Sequence, residues 1–270
     1  MKVLVIGELN IDLILDDFTT FPAIGKEVLA QRMNITLGSS SAIFASNLSN
    51  LDNQVSFLGM TGKDYFGTSI INILQSHKVD TSAILQSERY STGLTVILNA
   101  NEDRSNVTYP GAMAHFSESM IDFDLFKNFD HLHISSYFFQ PSLAPSIPRI
   151  FQMATNQGLS TSFDMQWDPL ESWKLPLPDL LPHVNVFFPN EAELLAATQS
   201  RSLKESFEKL ESCANVIAVK QGSRGSLVFS DGQQNHLKSF LNTQVVDAIG
   251  AGDSFNAGFI HQYIRQKSLR

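Results

Sequence analysis

Cysteine is almost missing from this chain: Cys213 stands alone among 270 residues. That excludes an intramolecular disulfide and any cysteine-cluster metal site. Basic charge is also scarce. Nineteen lysines and arginines face 27 aspartates and glutamates, a net charge of -8, and sequence-independent nucleic-acid binding needs the opposite balance. No apolar run is long enough to cross a bilayer. The N-terminal apolar stretch stops at Glu8, too soon for a secretory signal. The Asn-x-Ser/Thr triplets at Asn34, Asn47 and Asn106 therefore lack a secretory context. Internal repeats, low-complexity stretches and charge blocks are absent, and the ten prolines are dispersed. The expectation is a soluble cytoplasmic protein that binds neither nucleic acid nor membrane. With 43% hydrophobic residues, a chain of this length can bury a full core.

What is present is alternation. Short β-rich runs occur at Val3–Ile6, Val55–Leu58, Leu94–Leu98, His131–Ser135, Ser160–Phe163, Val184–Phe188, Val216–Val219 and Leu227–Phe229. Between many of them, apolar residues recur at helical spacing, as in Ile43, Phe44, Leu48 and Leu51, or Phe66, Ile70 and Leu74. This predicts an α/β fold, a mainly parallel central sheet flanked by helices. Two stretches keep period two instead. Met33, Ile35 and Leu37 alternate with Arg32, Asn34 and Thr36, and Leu94, Val96 and Leu98 alternate with Thr95, Ile97 and Asn99. They predict a small β-sheet lid, from segments of about 14–37 and 90–111, on a single domain spanning 1–270. Two apolar lid faces are expected, one closing over substrate and one meeting a second subunit in a homodimer.

The most informative segment is Val245–Phe259, where a strand end runs into Gly250-Ala251-Gly252-Asp253 and then a helix. Glycines at a helix N-terminus let backbone N–H groups approach an anion, and the helix dipole favours negative charge there. Asp253 is either a helix cap or a base for an attacking hydroxyl. Gly59-Met-Thr-Gly-Lys63-Asp64 is too short for a Walker A loop, and Phe255 stands where a dinucleotide-binding turn needs its third glycine. Asn10 and Asp12, two apart after a buried strand, suit sugar hydroxyls or an Asx turn. Asn190 and Glu193 share a helix face at i and i+3, which serves a hydrated Mg²⁺ or a capping box equally well. Ser39, Ser40 and Ser41 can cap a helix or touch substrate, with Ser39 the better cap. Arg104 reads as a solvated lid residue, His131 and His133 as packing, and Trp167 and Trp173 as packing of a loop near the ligand edge.

The segment Asp247-Ala248-Ile-Gly250-Ala-Gly252-Asp253 resembles the C-terminal signature of the PfkB (ribokinase-like) carbohydrate kinases. Further pieces resemble that family in order: Gly7-x-x-Asn10-x-Asp12, Gly38-Ser-Ser-Ser-Ala-Ile43, Gly62-Lys-Asp64-Tyr-Phe66-Gly67, Asn190-Glu-Ala-Glu193 and Lys220-Gln-Gly222-Ser-Arg-Gly225. The resemblance implies a ribokinase-like fold and ATP-dependent phosphotransfer to a hydroxyl of a small sugar. It implies Asp253 as general base and Gly250, Ala251 and Gly252 as the anion hole. Asn10, Asp12, Gly38, Ser39 and Ser40 are then substrate-binding, and Lys220, Gly222, Gly225 and Asp247 nucleotide-binding. Asn190 and Glu193 would hold Mg²⁺ through water, and a monovalent cation is a further expected cofactor. Three departures stand out. Ala248 replaces a usual threonine, Ile43 replaces a usual asparagine, and the sequence ends 17 residues after Asp253. The last leaves two alternatives in view: a nucleoside kinase of the same fold, and a catalytically impaired sugar- or nucleotide-binding protein with an incomplete adenine pocket.

Overall fold

Strand–helix alternation produces a mostly parallel sheet with helices on both faces and a separate small sheet. The computed structural model describes residues 1–18, 20–100, 103–240 and 250–267. In chain order the strands are β1 (Lys2–Ile6), β2 (Asn10–Asp16), β3 (Arg32–Leu37), β4 (Gln54–Leu58), β5 (Met60–Gly62), β6 (Leu85–Ser87) and β7 (Gly93–Ala100). They continue as β8 (Asp103–Tyr109), β9 (His131–Ser135), β10 (Ser160–Asp164), β11 (Val186–Phe187), β12 (Val216–Lys220), β13 (Ser226–Ser230) and β14 (Gln233–Leu237). The α-helices are α1 (Ser40–Asn50), α2 (Tyr65–Ser76), α3 (Ile147–Asn156), α4 (Leu177–Leu180), α5 (Glu191–Thr198), α6 (Leu203–Leu210) and α7 (Ala251–Lys267).

Among the described residues, the main sheet runs β14-β13-β12-β11-β10-β9-β1-β4. It is parallel from β4 to β12 and antiparallel at the β13–β14 edge. Strand β1 is apolar on both faces because alternate residues enter different cores, while β9 and β10 bury His131, His133, Ser160 and Ser162 against one another. Leu4 and Ile6 join Leu132, Ile134, Phe163 and the α3 residues Ile150 and Phe151. Val3 and Val5 join Phe57, the α1 residues Phe44 and Leu48, and the α7 residues Ile260 and Ile264. Each such side chain contributes about 1.5–3 kcal/mol on burial. Parallel pairing also brings the C-terminal ends of β1, β9, β10 and β12 to one edge, where open α/β sheets take their ligands. Among the described residues, no helix is long and apolar enough to cross a membrane.

A second sheet, β3-β2-β7-β8, stands beside this edge. Its register corrects one expectation. Ile35 pairs with Leu13, Leu13 with Val96 and Val96 with Val107, so the two apolar stripes share one face. The opposite face carries Thr36, Asp12, Thr95 and Thr108 in one row. Asn10 and Asp12 also belong to β2 and not to a turn after β1. Their polarity on the inward face broke the apolar run that marks strands elsewhere. Next to the body, Ile11, Leu37 and Leu94 pack into the core near Phe66 and Ile70 of α2.

Candidate active site

The three serines after Gly38 join the lid to the start of α7. Gly38 is hemmed in by the lid: a Cβ there would lie 2.0 Å from Asp12 Oδ1 and 2.6 Å from Asn10 Nδ2. Only glycine allows that approach. Asn10 Nδ2 donates to Asp12 Oδ1 at 3.1 Å and to Thr95 Oγ1 at 3.1 Å. Both residues are buried, and burial pushes the Asp12 carboxyl up to about 6 against the pull of the Arg104 charge. Arg104 pairs with Asn99, which donates to Asp16, so it shares the Asp12 face.

Ser39 is the N-cap of α1. Its hydroxyl donates to the Glu8 carbonyl at 2.5 Å and accepts from Ala42 N at 2.9 Å, and it has no exposed surface. The cap therefore uses the hydroxyl that a substrate contact would need. Ser40 points the other way and donates to Asp253 Oδ1 at 2.5 Å. Ser41 donates to the buried Glu8 carboxylate at 2.5 Å, and its backbone N–H reaches the same group at 3.2 Å. Burial raises the Glu8 pKa, which hydrogen bonds from Ser41 oppose. Glu8 thus fastens the α1 loop to the end of β1.

Asp253 lies in the first turn of α7 with 7% of its surface exposed. A second donor, Gln166 Nε2, reaches its Oδ1 at 3.3 Å and Ser40 Oγ at 2.8 Å. Burial, then the Asp164 charge, pushes the Asp253 carboxyl up to about 7. Gly250 precedes the helix at φ +70, and a Cβ there would meet Ile43 Cγ2 at 3.1 Å. Ile43 is therefore an apolar buttress for this turn. The first N–H groups of α7 have no intrahelical acceptor, so Gly250, Ala251 and Gly252 begin a helix end suited to an anion.

Lys220 ends β12 beside Asn190, which its backbone pairs with as an isolated parallel bridge. Its Nζ donates to the fully buried Asp164 at 2.5 Å, and Asn256 Nδ2 reaches the same Asp164 oxygen at 2.6 Å. Burial works against the ammonium, but Asp164 and then Glu193 hold its pKa above the ordinary lysine range. Asn190 and Glu193 form the capping box of α5. Asn190 Oδ1 accepts from Glu193 N at 2.9 Å, and Glu193 Oε2 accepts from Asn190 N at 2.8 Å. Burial, then Asp164, raises the Glu193 pKa. Gly222 and Gly225 lie in the β12–β13 turn, which Gln221 and Arg224 tie to Glu191. Asp247 lies outside the described residues.

Sequence reasoning missed Glu8, Asp164, Gln166 and Asn256. Asp164-Met-Gln166 directly follows an apolar strand, and that abrupt change to polar residues was the available signal. The neighbouring Trp167 and Trp173 pack edge to face at 4.9 Å, and Asp168 caps their loop by accepting from the N–H groups of Leu170, Ser172 and Trp173. His131 is bonded to Ser160 and Ser162, while His133 is bonded to Ser162 and stacks on Phe44 at 3.7 Å. Burial keeps His133 neutral.

Known proteins are similar to this chain in sequence and in fold. The chain is 27% identical over 226 residues to an uncharacterized sugar kinase of Archaeoglobus fulgidus, covering 82% of this chain and 88% of that protein. It is 26% identical over 251 residues to a 5-dehydro-2-deoxygluconokinase of Mesomycoplasma hyopneumoniae, covering 86% and 73% respectively. Its fold superposes on an Arabidopsis thaliana ribokinase complexed with ribose and ATP with a TM-score of 0.85 at 22% identity, covering 97% of this chain and 86% of that one. The model of the pfkB family of carbohydrate kinases matches all of residues 1–270, so this chain belongs to that family and is a carbohydrate kinase with the ribokinase fold.

Proposed function

We propose that the chain transfers the γ-phosphoryl group of cytoplasmic ATP to a hydroxyl of a small sugar. The observation that carries this reading is Asp253: a buried carboxyl, poised near neutral pH and held by Ser40 and Gln166 at a glycine-rich helix start. The acceptor hydroxyl gives its proton to Asp253 as its oxygen bonds to the γ-phosphorus. The bond from phosphorus to the bridging oxygen breaks, and ADP leaves with that electron pair. Backbone N–H groups of Gly250, Ala251 and Gly252 take the charge on the transferring oxygens. Asn10 and Asp12 orient the sugar from the lid across Gly38. The Lys220–Gly225 turn, with Asp247, serves the nucleotide.

The donor set also fits Mg²⁺. Glu193 is a buried oxygen donor, and it, Asp164 and Asp253 outnumber the one ammonium among them, which leaves negative charge for a hard cation. Among the described residues, no three metal-ligating side chains converge tightly enough to hold an ion alone. That suits an ion that keeps most of its waters. Glu193 would hold it through water, and the ion would neutralise phosphate charge. Asn190 is committed to the cap on its oxygen.

A sugar acid is the second reading of the acceptor. The Mesomycoplasma hyopneumoniae relative is named a 5-dehydro-2-deoxygluconokinase, and Arg104 puts a cation on the Asp12 face of the lid. ADP release measured against neutral sugars, sugar acids and nucleosides tests all three classes. Turnover with a sugar or sugar acid at least tenfold above any nucleoside is expected. Preference for a nucleoside would overturn the sugar reading.

The outer lid face adds a proposal about assembly. Met33, Ile35, Val107 and Tyr109 are 66%, 44%, 64% and 55% exposed, and the register puts Ile35 and Val107 in one cross-strand row. This surface covers a second copy of the chain in a homodimer. Light scattering at micromolar concentration should give a dimer mass, and Ile35→Lys with Val107→Lys should give a monomer. A monomeric parent protein would refute it.

A further inference from the structure

We propose that Lys220 is the cation that hydrogen-bonds the γ-phosphoryl group while it is transferred to the sugar, with Asp164 and Asn256 as its positioning residues. This deepens the ATP reading above and rests on it. The resemblance assigns Lys220 only to the nucleotide side, whereas the geometry selects one phosphate. A Cβ on Gly252 would lie 3.6 Å from Lys220 Nζ. With glycine there, the ammonium and the anion-binding backbone of the helix start border the same space. Asp253 follows Gly252 directly in the same helix start. Base and ammonium therefore address one reacting group.

The way Lys220 is held supports a catalytic use. An ammonium has three N–H donors, and the bond to Asp164 uses one of them. Asp164 is sealed beneath it, with no exposed side-chain surface, while the Lys220 side chain keeps 15%. The pair is thus open on the lysine side alone. Asn256, in the second turn of α7, pins the same Asp164 oxygen from the helix that carries the base. A buried ion pair is a poor source of stability, because an apolar pair of similar volume commonly does as well. Beside a phosphate loop, the same pair has another use. Without the ammonium, Asp164, Glu193 and Asp253 would repel an incoming phosphoryl group.

The test compares two nucleotides that differ by the transferred group. Calorimetry on the whole protein with ADP and with a non-hydrolysable ATP analogue gives the affinities, and ADP release gives kcat. Lys220→Gln should weaken the ATP analogue about tenfold, the loss of one charged hydrogen bond, and leave ADP within about threefold. Its kcat should fall by roughly 30-fold or more with sugar KM unchanged. Asp164→Asn should lower kcat about tenfold with the same unchanged sugar KM. If Lys220→Gln does not fold because Asp164 has lost its counter-charge, Lys220→Met combined with Asp164→Asn removes both charges and carries the same comparison. Equal weakening of ADP and analogue, or no change in either, would overturn the assignment. Parent protein that binds neither nucleotide would overturn the ATP reading itself. A parent that turns over with an unaltered Lys220→Gln overturns the lysine assignment alone.

Discussion

Asp253→Asn should lower kcat by about 10²–10⁴-fold, the range for loss of a general base, with sugar and nucleotide affinities little changed. The asparagine keeps the volume and one oxygen for Ser40 but cannot take the acceptor's proton. The pH profile gives an independent reading. The Asp253 carboxyl is pushed up to about 7 by burial and by Asp164, so kcat/KM of the parent should rise with pH and level off above about 7. The residual activity of Asp253→Asn should lack that limb. A variant that keeps more than about a tenth of kcat, with chemistry rate-limiting, would remove Asp253 from the mechanism.

The same substitution has an opposite effect on stability. A carboxyl whose folded pKa is raised binds a proton in the folded state that the unfolded state has released between about pH 4 and 7. Stability therefore falls as pH rises through that window, and above it the folded protein carries a buried charge. A rise to about 7 sets an upper limit of about 4 kcal/mol, reduced by whatever the Ser40 and Gln166 bonds lose. Asp253→Asn should raise Tm by a few degrees at pH 8 and give no advantage below about pH 4. Glu193, raised in the same direction, adds to the slope of the parent curve and leaves the sign intact.

Legibility in the sequence follows which residues face water and which face each other. The parallel sheet was readable because runs such as Val3–Ile6 and Val216–Val219 are apolar at every position and so suit burial on both faces. Strand β2 was not, because Asn10, Asp12 and Asp16 on its inward face break the apolar run along the sequence. Gly250–Asp253 announced itself by glycine spacing. Glu8, Asp164 and Asn256 did not, since a buried polar residue has meaning only through partners distant in the chain: Ser41 for Glu8, Lys220 and Asn256 for Asp164. Asn190 and Glu193 show the limit of spacing. Cap and metal ligand need the same i, i+3 interval, and spacing alone could not show that the capping box forms.

Asp12→Ala should raise sugar KM on the order of 10²-fold and leave nucleotide affinity unchanged. Asp12 is buried on the inward lid face, beside Gly38 and bonded by Asn10. As a carboxylate it accepts hydroxyl donors, and charged hydrogen bonds contribute about 1.5–3 kcal/mol each. One or two of them account for the expected loss. Removing Asp12 leaves Asn10 Nδ2 its bond to Thr95, so the lid strand should keep its pairing. The pH dependence has a definite sign. Burial pushes the Asp12 carboxyl up to about 6, and a sugar that donates to the carboxylate lowers that pKa. Sugar affinity of the parent should therefore weaken as pH falls through about 6, and the Asp12→Ala variant should show no such fall. Calorimetry of sugar and nucleotide separately, at pH 5.5 and 7.5, decides it. Loss of nucleotide affinity with sugar affinity intact would reverse the map of the two ends of the site.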